Sequence, residues 1–96
     1  MAKKSIGPAG ELSRAASAEI RADLGRLQWT QTDLAERVGK SKNYINTRLR
    51  DEAPLNINDI EEIGRALGRS PGDLFRAAVE NYERRQREAR AAGKED

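Results

Sequence analysis

Between Arg37 and Arg50 every charged residue is a cation: Arg37, Lys40, Lys42, Arg48 and Arg50. Ser41, Asn43, Asn46 and Thr47 stand among them, short polar side chains that hydrogen-bond readily. Cations and amides at this density can hold phosphates and read base edges. Asn pairs bidentately with adenine, Lys donates to guanine, and Thr touches a thymine methyl. The next block has the opposite character: from Asp51 to Phe75 the acids Asp51, Glu52, Asp59, Glu61, Glu62 and Asp73 outnumber Arg65 and Arg69. A short single-sign block of this kind is a candidate phosphate-facing surface, although an ordinary solvated helix face would carry the same charges.

Other chemistry finds little support. The 96 residues contain no His and no Cys, which removes the commonest general base, the commonest metal ligands and all thiol chemistry. No cluster of Ser, Lys or paired acids is organised to replace them, so an enzyme is not expected, nor a metal or cofactor. Net charge is +2, too small alone to argue for a polyanionic partner. No apolar run approaches bilayer length and the first residues lack a signal-peptide pattern, so a soluble, cytoplasmic protein without membrane contact is expected. With 36% hydrophobic residues and four aromatics, the chain can build one thin core.

The elements that must position the basic block carry explicit boundary signals. Residues 1–7 read as a flexible basic arm bearing Lys3 and Lys4. Pro8 suits the first turn of a helix, and Leu12, Ala16, Ile20, Leu24 and Leu27 recur at helical spacing, giving helix 1 over Pro8 to Leu27. Thr30 caps helix 2, with Asp33 in the capping-box position and a staple of Trp29 on Leu34; Gly39 ends it. Ser41 caps helix 3, whose inward residues are Ile45 and Leu49. Asn56 caps helix 4, with Asp59 three residues on and a Leu55–Ile60 staple. Its stripe is Ile60, Ile63 and Leu67, and Gly68 stops it. Ser70, Pro71 and Asp73 open helix 5, which buries Leu74, Phe75 and Val79 and frays between Arg84 and Ala91. Strand-type alternation is absent from the sequence, and the fold class is all-α.

Only Gly39, Lys40 and Ser41 separate helices 2 and 3, and a turn this short with Gly first is the geometry of a helix-turn-helix. The string TQTDLAERVGKSKNYI, from Thr30 to Ile45, followed by IEEIGRALGRSPGDLF, from Ile60 to Phe75, resembles the Cro/CI-type (XRE) family over roughly residues 18 to 75. The resemblance implies a five-helix, lambda-repressor-like domain over 8–75 with a helical extension over 76–96. It implies a sequence-specific transcriptional regulator, a repressor of the phage immunity or small host type, with helix 3 in the major groove of double-stranded DNA. Carried over from the family, Lys42, Asn43 and Thr47 occupy base-reading positions, and Gln31 and Asn56 occupy phosphate positions. Helical geometry adds its own reading. With Ile45 inward, Asn43, Thr47 and Arg50 fall on the opposite face, Asn46 on a flank and Lys42 at the tip. Lys40, Ser41, Arg48 and Arg50 complete the phosphate set. Arg48 departs from the family's usual apolar residue, with Leu49 taking the inward role.

A second signal is independent of family. Helices 2, 4 and 5 each place an Asp in the first turn, where it favours the positive end of the dipole, whereas helix 3 brings Lys40 and Lys42. Cations there are unfavourable unless an anion is near, and a phosphate supplies one. The expected partner is a pseudo-palindromic operator bound by a homodimer, with Val79 and Tyr82 of helix 5 as candidate dimer contacts. An antitoxin-like module that autoregulates and binds a protein partner through the C-terminal helix is the alternative. The operator sequence and the regulated gene are not encoded in any pattern of this chain.

Overall fold

The computed structural model describes residues 7–94. Five helices follow one another: α1 (Glu11–Leu27), α2 (Gln31–Val38), α3 (Lys42–Leu49), α4 (Ile57–Ala66) and α5 (Pro71–Lys94), and among the described residues there is no strand. The Lys3 and Lys4 arm lies outside the described residues.

The local signals act where the sequence puts them. At α2 the Thr30 side chain accepts the Asp33 N–H while Asp33 accepts the Thr30 N–H, and at α4 Asn56 and Asp59 do the same. Both boxes satisfy amide donors that an isolated helix end leaves free. Gly39 ends α2 in the left-handed region at φ 71°, a conformation that costs glycine nothing. Trp29 packs against the core ahead of α2, with the Arg37 guanidinium 4.0 Å above its ring.

Three expectations are corrected. Helix 1 does not start at Pro8. Gly10 is its N-cap, because the Ala9 N–H is drawn out of the helix to donate to the Asp51 carbonyl at 3.1 Å. Phe75 is 43% exposed rather than buried: Leu74, Ala78 and Asn81 form the inward edge of α5, and Phe75 sits 100° away from that edge. Nor does α5 end between Arg84 and Ala91; its helical residues extend to Lys94. Its path along α1 carries it as far as Gln86. Asn81 Nδ2 donates to Glu19 Oε2 at 3.1 Å and Gln86 donates to Glu11, so the two helices lie antiparallel and the start of α1 supports α5 a turn past Tyr82. Val79 and Tyr82, the candidate dimer contacts, are half-buried.

Ile20, Leu24, Leu34, Ile45, Leu49, Ile63 and Leu74 form the core. Burying one such side chain stabilises by roughly 1.5–3 kcal/mol. Ile45 and Leu49 thus anchor α3, whose eight residues would not hold a helix alone. At Gly64 α5 comes close to α4: a Cβ there would meet the Arg69 carbonyl oxygen at 3.4 Å and Pro71 Cα at 3.6 Å, ordinary contact distances.

Candidate nucleic-acid interface

Two buried residues at i and i+4 fix one face of α3 inward, and the remaining side chains are disposed around it. Lys42 and Asn43 are exposed at its start, and Arg50 is exposed at its end. Asn46 and Thr47 are half-buried. The Thr47 hydroxyl donates to the Asn43 carbonyl at 2.7 Å, which leaves its methyl and its oxygen lone pairs for an incoming group. Lys42 and Asn43 thus stand exposed in the first turn of α3, and Asn46 and Thr47 follow one turn later, half-buried.

The electrostatics of that helix start differ from its neighbours. Glu11, Asp33, Asp59 and Asp73 stand in the first turns of α1, α2, α4 and α5, and α3 has no acid there. The Ser41 side chain accepts the Tyr44 N–H at 2.9 Å, a neutral cap that leaves the positive end of the helix uncompensated. Gln31, the first residue of α2, is half-buried.

The expected phosphate-facing cations are not all free. Lys40 Nζ lies 3.7 Å from a Glu62 carboxylate oxygen and 5.0 Å from the centre of the Tyr44 ring. Arg48 is half-buried, its guanidinium carbon 3.8 Å from the same ring. Arg50 donates through Nε and Nη2 to Glu52 at 3.2 and 3.0 Å. Such exposed pairs are worth little in water and exchange readily for a stronger anion. Asn56 uses its side-chain oxygen to cap α4.

Sequence reasoning missed the groups that hold α3 in place. The Tyr44 hydroxyl donates to Asp59 Oδ1 at 2.8 Å, and burial, the bond to Asp59 and the charge of Asp59 raise the phenol above its ordinary pKa. At the other end, Arg21 Nη1 donates to the Leu49 carbonyl at 2.6 Å, and the Ser17 hydroxyl donates to Asp51 Oδ1 at 2.6 Å. Asp51 itself sits in the left-handed region at φ 64°. The one available signal was the Ser17–Arg21 spacing, which places both side chains on one face of helix 1.

Residues 20–74 match a helix-turn-helix family model. No curated protein sequence matches the chain significantly. Among solved structures, the chain is similar to the clp gene regulator ClgR from Corynebacterium glutamicum, with a TM-score of 0.75 and 22% identity over 84% of this chain and 86% of that one. It is also similar to a point mutant of the restriction-modification controller protein C.Esp1396I, with a TM-score of 0.67 and 26% identity over 76% of this chain and 97% of that one. A hypothetical transcription factor from Neisseria, NHTF, gives a TM-score of 0.63 at 20% identity over 78% and 84%. At such identities the first and third likenesses concern the fold.

Proposed function

Since this chain belongs to the helix-turn-helix family of DNA-binding transcriptional regulators, a family of Cro/CI type rather than of enzymes, we propose that it is a repressor that binds an operator as a homodimer and reads it with α3. The observation that carries this reading is the start of α3: an acid-free first turn, capped by Ser41, with Lys42 and Asn43 exposed while Ile45 and Leu49 are buried. In it Lys42, Asn43, Asn46 and Thr47 read base edges. Gln31, Lys40, Ser41, Arg48, Arg50 and Asn56 hold the phosphates on either side. Lys40 and Arg50 exchange Glu62 and Glu52 for phosphate on docking, so that binding begins from paired rather than bare cations. A domain seated on a promoter-proximal site excludes other proteins by occupancy, and repression needs nothing more.

One short helix reads three or four base pairs, too few to define a site in a genome, and a second copy on a two-fold axis doubles the readout. The surface offered to that copy is apolar: Ile57 is 75% exposed, and it borders a groove formed with Leu12, Leu55, Ile60 and Phe75. A protruding Ile57 beside a groove is self-complementary, as a two-fold interface requires. This face offers more apolar surface than half-buried Val79 and Tyr82. It also adjoins Asn56, so a partner seated there keeps both reading helices on one side of the dimer.

Selection of bound duplexes from a random pool tests the reading. The expected product is an inverted repeat whose half-sites lie one helical turn apart, about 34 Å. A pool that shows no enrichment at moderate salt would refute it.

A further inference from the structure

The flank of α3 that faces α4 holds a cluster that base reading leaves unused. Asp59 is 2% exposed, and both its oxygens are committed. Oδ2 accepts the Asn56 N–H at 2.9 Å and closes the α4 capping box, while Oδ1 accepts the Tyr44 hydroxyl at 2.8 Å. The Tyr44 ring in turn carries the two cations nearest to it, Arg48 at 3.8 Å and Lys40 at 5.0 Å. Arg48 Nε is buried without a hydrogen-bond partner, so the ring is what holds that guanidinium in place.

Tyr44 governs orientation for a physical reason. Ile45 and Leu49 hold α3 by apolar contact, which is non-directional, and the Arg21 bond to the Leu49 carbonyl fixes only the far end, so the roll of the N-terminal turns is left to contacts on the flank. A hydrogen bond to a buried carboxylate is directional and short, and it acts on the side of the helix. A roll of α3 moves Asn43 and Thr47 sideways along the groove, so the angle that this bond fixes decides which base edges they meet.

Resting on the operator reading above, we propose that Tyr44 is a positioning residue for base recognition, its hydroxyl setting the roll of α3 through Asp59 and its ring presenting Lys40 and Arg48 to the phosphates. The phenol works through these neighbours and need not touch DNA.

Two variants separate the roles of hydroxyl and ring. Tyr44→Phe keeps the ring and the shape, and Tyr44→Leu loses both functions while keeping an apolar side chain. Each is measured by affinity for the selected operator and for a random duplex across a salt series, with thermal melting to confirm a folded protein. For Tyr44→Phe, operator affinity falls about five- to tenfold, with random-duplex affinity and salt slope unchanged. Its loss of discrimination falls at the base pairs that Asn43→Ala also relaxes. For Tyr44→Leu, random-duplex affinity weakens as well and the salt slope becomes shallower by about 1–2. A Phe variant that binds operator and random DNA like the parent, or weakens on both in equal proportion, overturns the proposal and leaves the operator reading standing. A parent protein without sequence preference overturns both.

Discussion

Asn43 and Arg50 lie two turns apart on α3 and meet solvent on the same side, yet they differ in what they can offer a duplex. Asn43 carries a neutral amide with both a donor and an acceptor, suited to an adenine edge and indifferent to ionic strength. Arg50 is a cation already forked onto Glu52, suited to any phosphate. Asn43→Ala therefore relaxes the preference at one base pair at a cost of about 1–3 kcal/mol on the operator. Random DNA is bound as before. Arg50→Ala weakens operator and random duplex alike and lowers the salt slope by about 1. Competition binding on single-base operator variants, repeated at three salt concentrations, separates the two. Equal losses on specific and random DNA for both variants would mean that the reading edge lies elsewhere. The exposure of Lys42 and Asn43 was legible from the sequence because one apolar pair, Ile45 and Leu49, fixes the face of a short helix. The fate of Arg48 and Tyr44 was not legible. Their partners, each other and Asp59, are set by where α4 comes to lie against α3.

Helix ends divide in the same way. Thr30 with Asp33, Ser41, Asn56 with Asp59, and Gly39 act within three or four residues of chain, so composition alone locates those boundaries. The start of α1 depends instead on a hydrogen bond from Ala9 to Asp51, forty-two residues away, and Pro8 misleads. The stretch of α5 from Asn81 to Gln86 is tied to α1, a pairing that no local pattern announces. Two non-glycine residues in the left-handed region mark where helices end under strain: Gln28, the C-cap of α1, at φ 59°, and Asp51, just past the end of α3, at φ 64°. They should respond in opposite ways to glycine. Gln28 is exposed and its side chain has no bond that this conformation serves, so Gln28→Gly stabilises by about 0.5–1 kcal/mol. In a domain of this size that raises Tm by a few degrees, about 4–8 °C per kcal/mol. Asp51→Gly relieves the same strain but removes the acceptor of the Ser17 hydroxyl, and it lowers Tm. Thermal melts of the two variants side by side check both signs, and a gain at Asp51 would show the Ser17 bond to be dispensable.

For the whole molecule, Asn56, assigned to a phosphate in the proposed complex, also lines the groove that carries Ile57 and Phe75, so the proposal couples binding and association in space. Ile57→Glu places a charge at the most exposed large apolar side chain among the described residues, outside the core and away from α3. The variant should melt like the parent, sediment as a monomer where the parent is a dimer, and keep its affinity for a half-site. Affinity for the full inverted repeat should drop at least a hundredfold, because the second half-site then binds without the gain in effective concentration. Dimers that persist in Ile57→Glu would move the interface elsewhere, with the Val79 and Tyr82 edge of α5 next in line. The seating of α3 has a further consequence. Ile45 and Leu49 secure it from within, Tyr44 and Arg21 from the flank and the end, and none of these belongs to the outer edge that carries Lys42 and Asn43. The exposed Lys42 and Asn43 can be exchanged with almost no penalty in fold, so on the proposed reading lineages carrying this scaffold diverge to new targets by drift at a few codons, while the contacts that seat the helix are inherited intact.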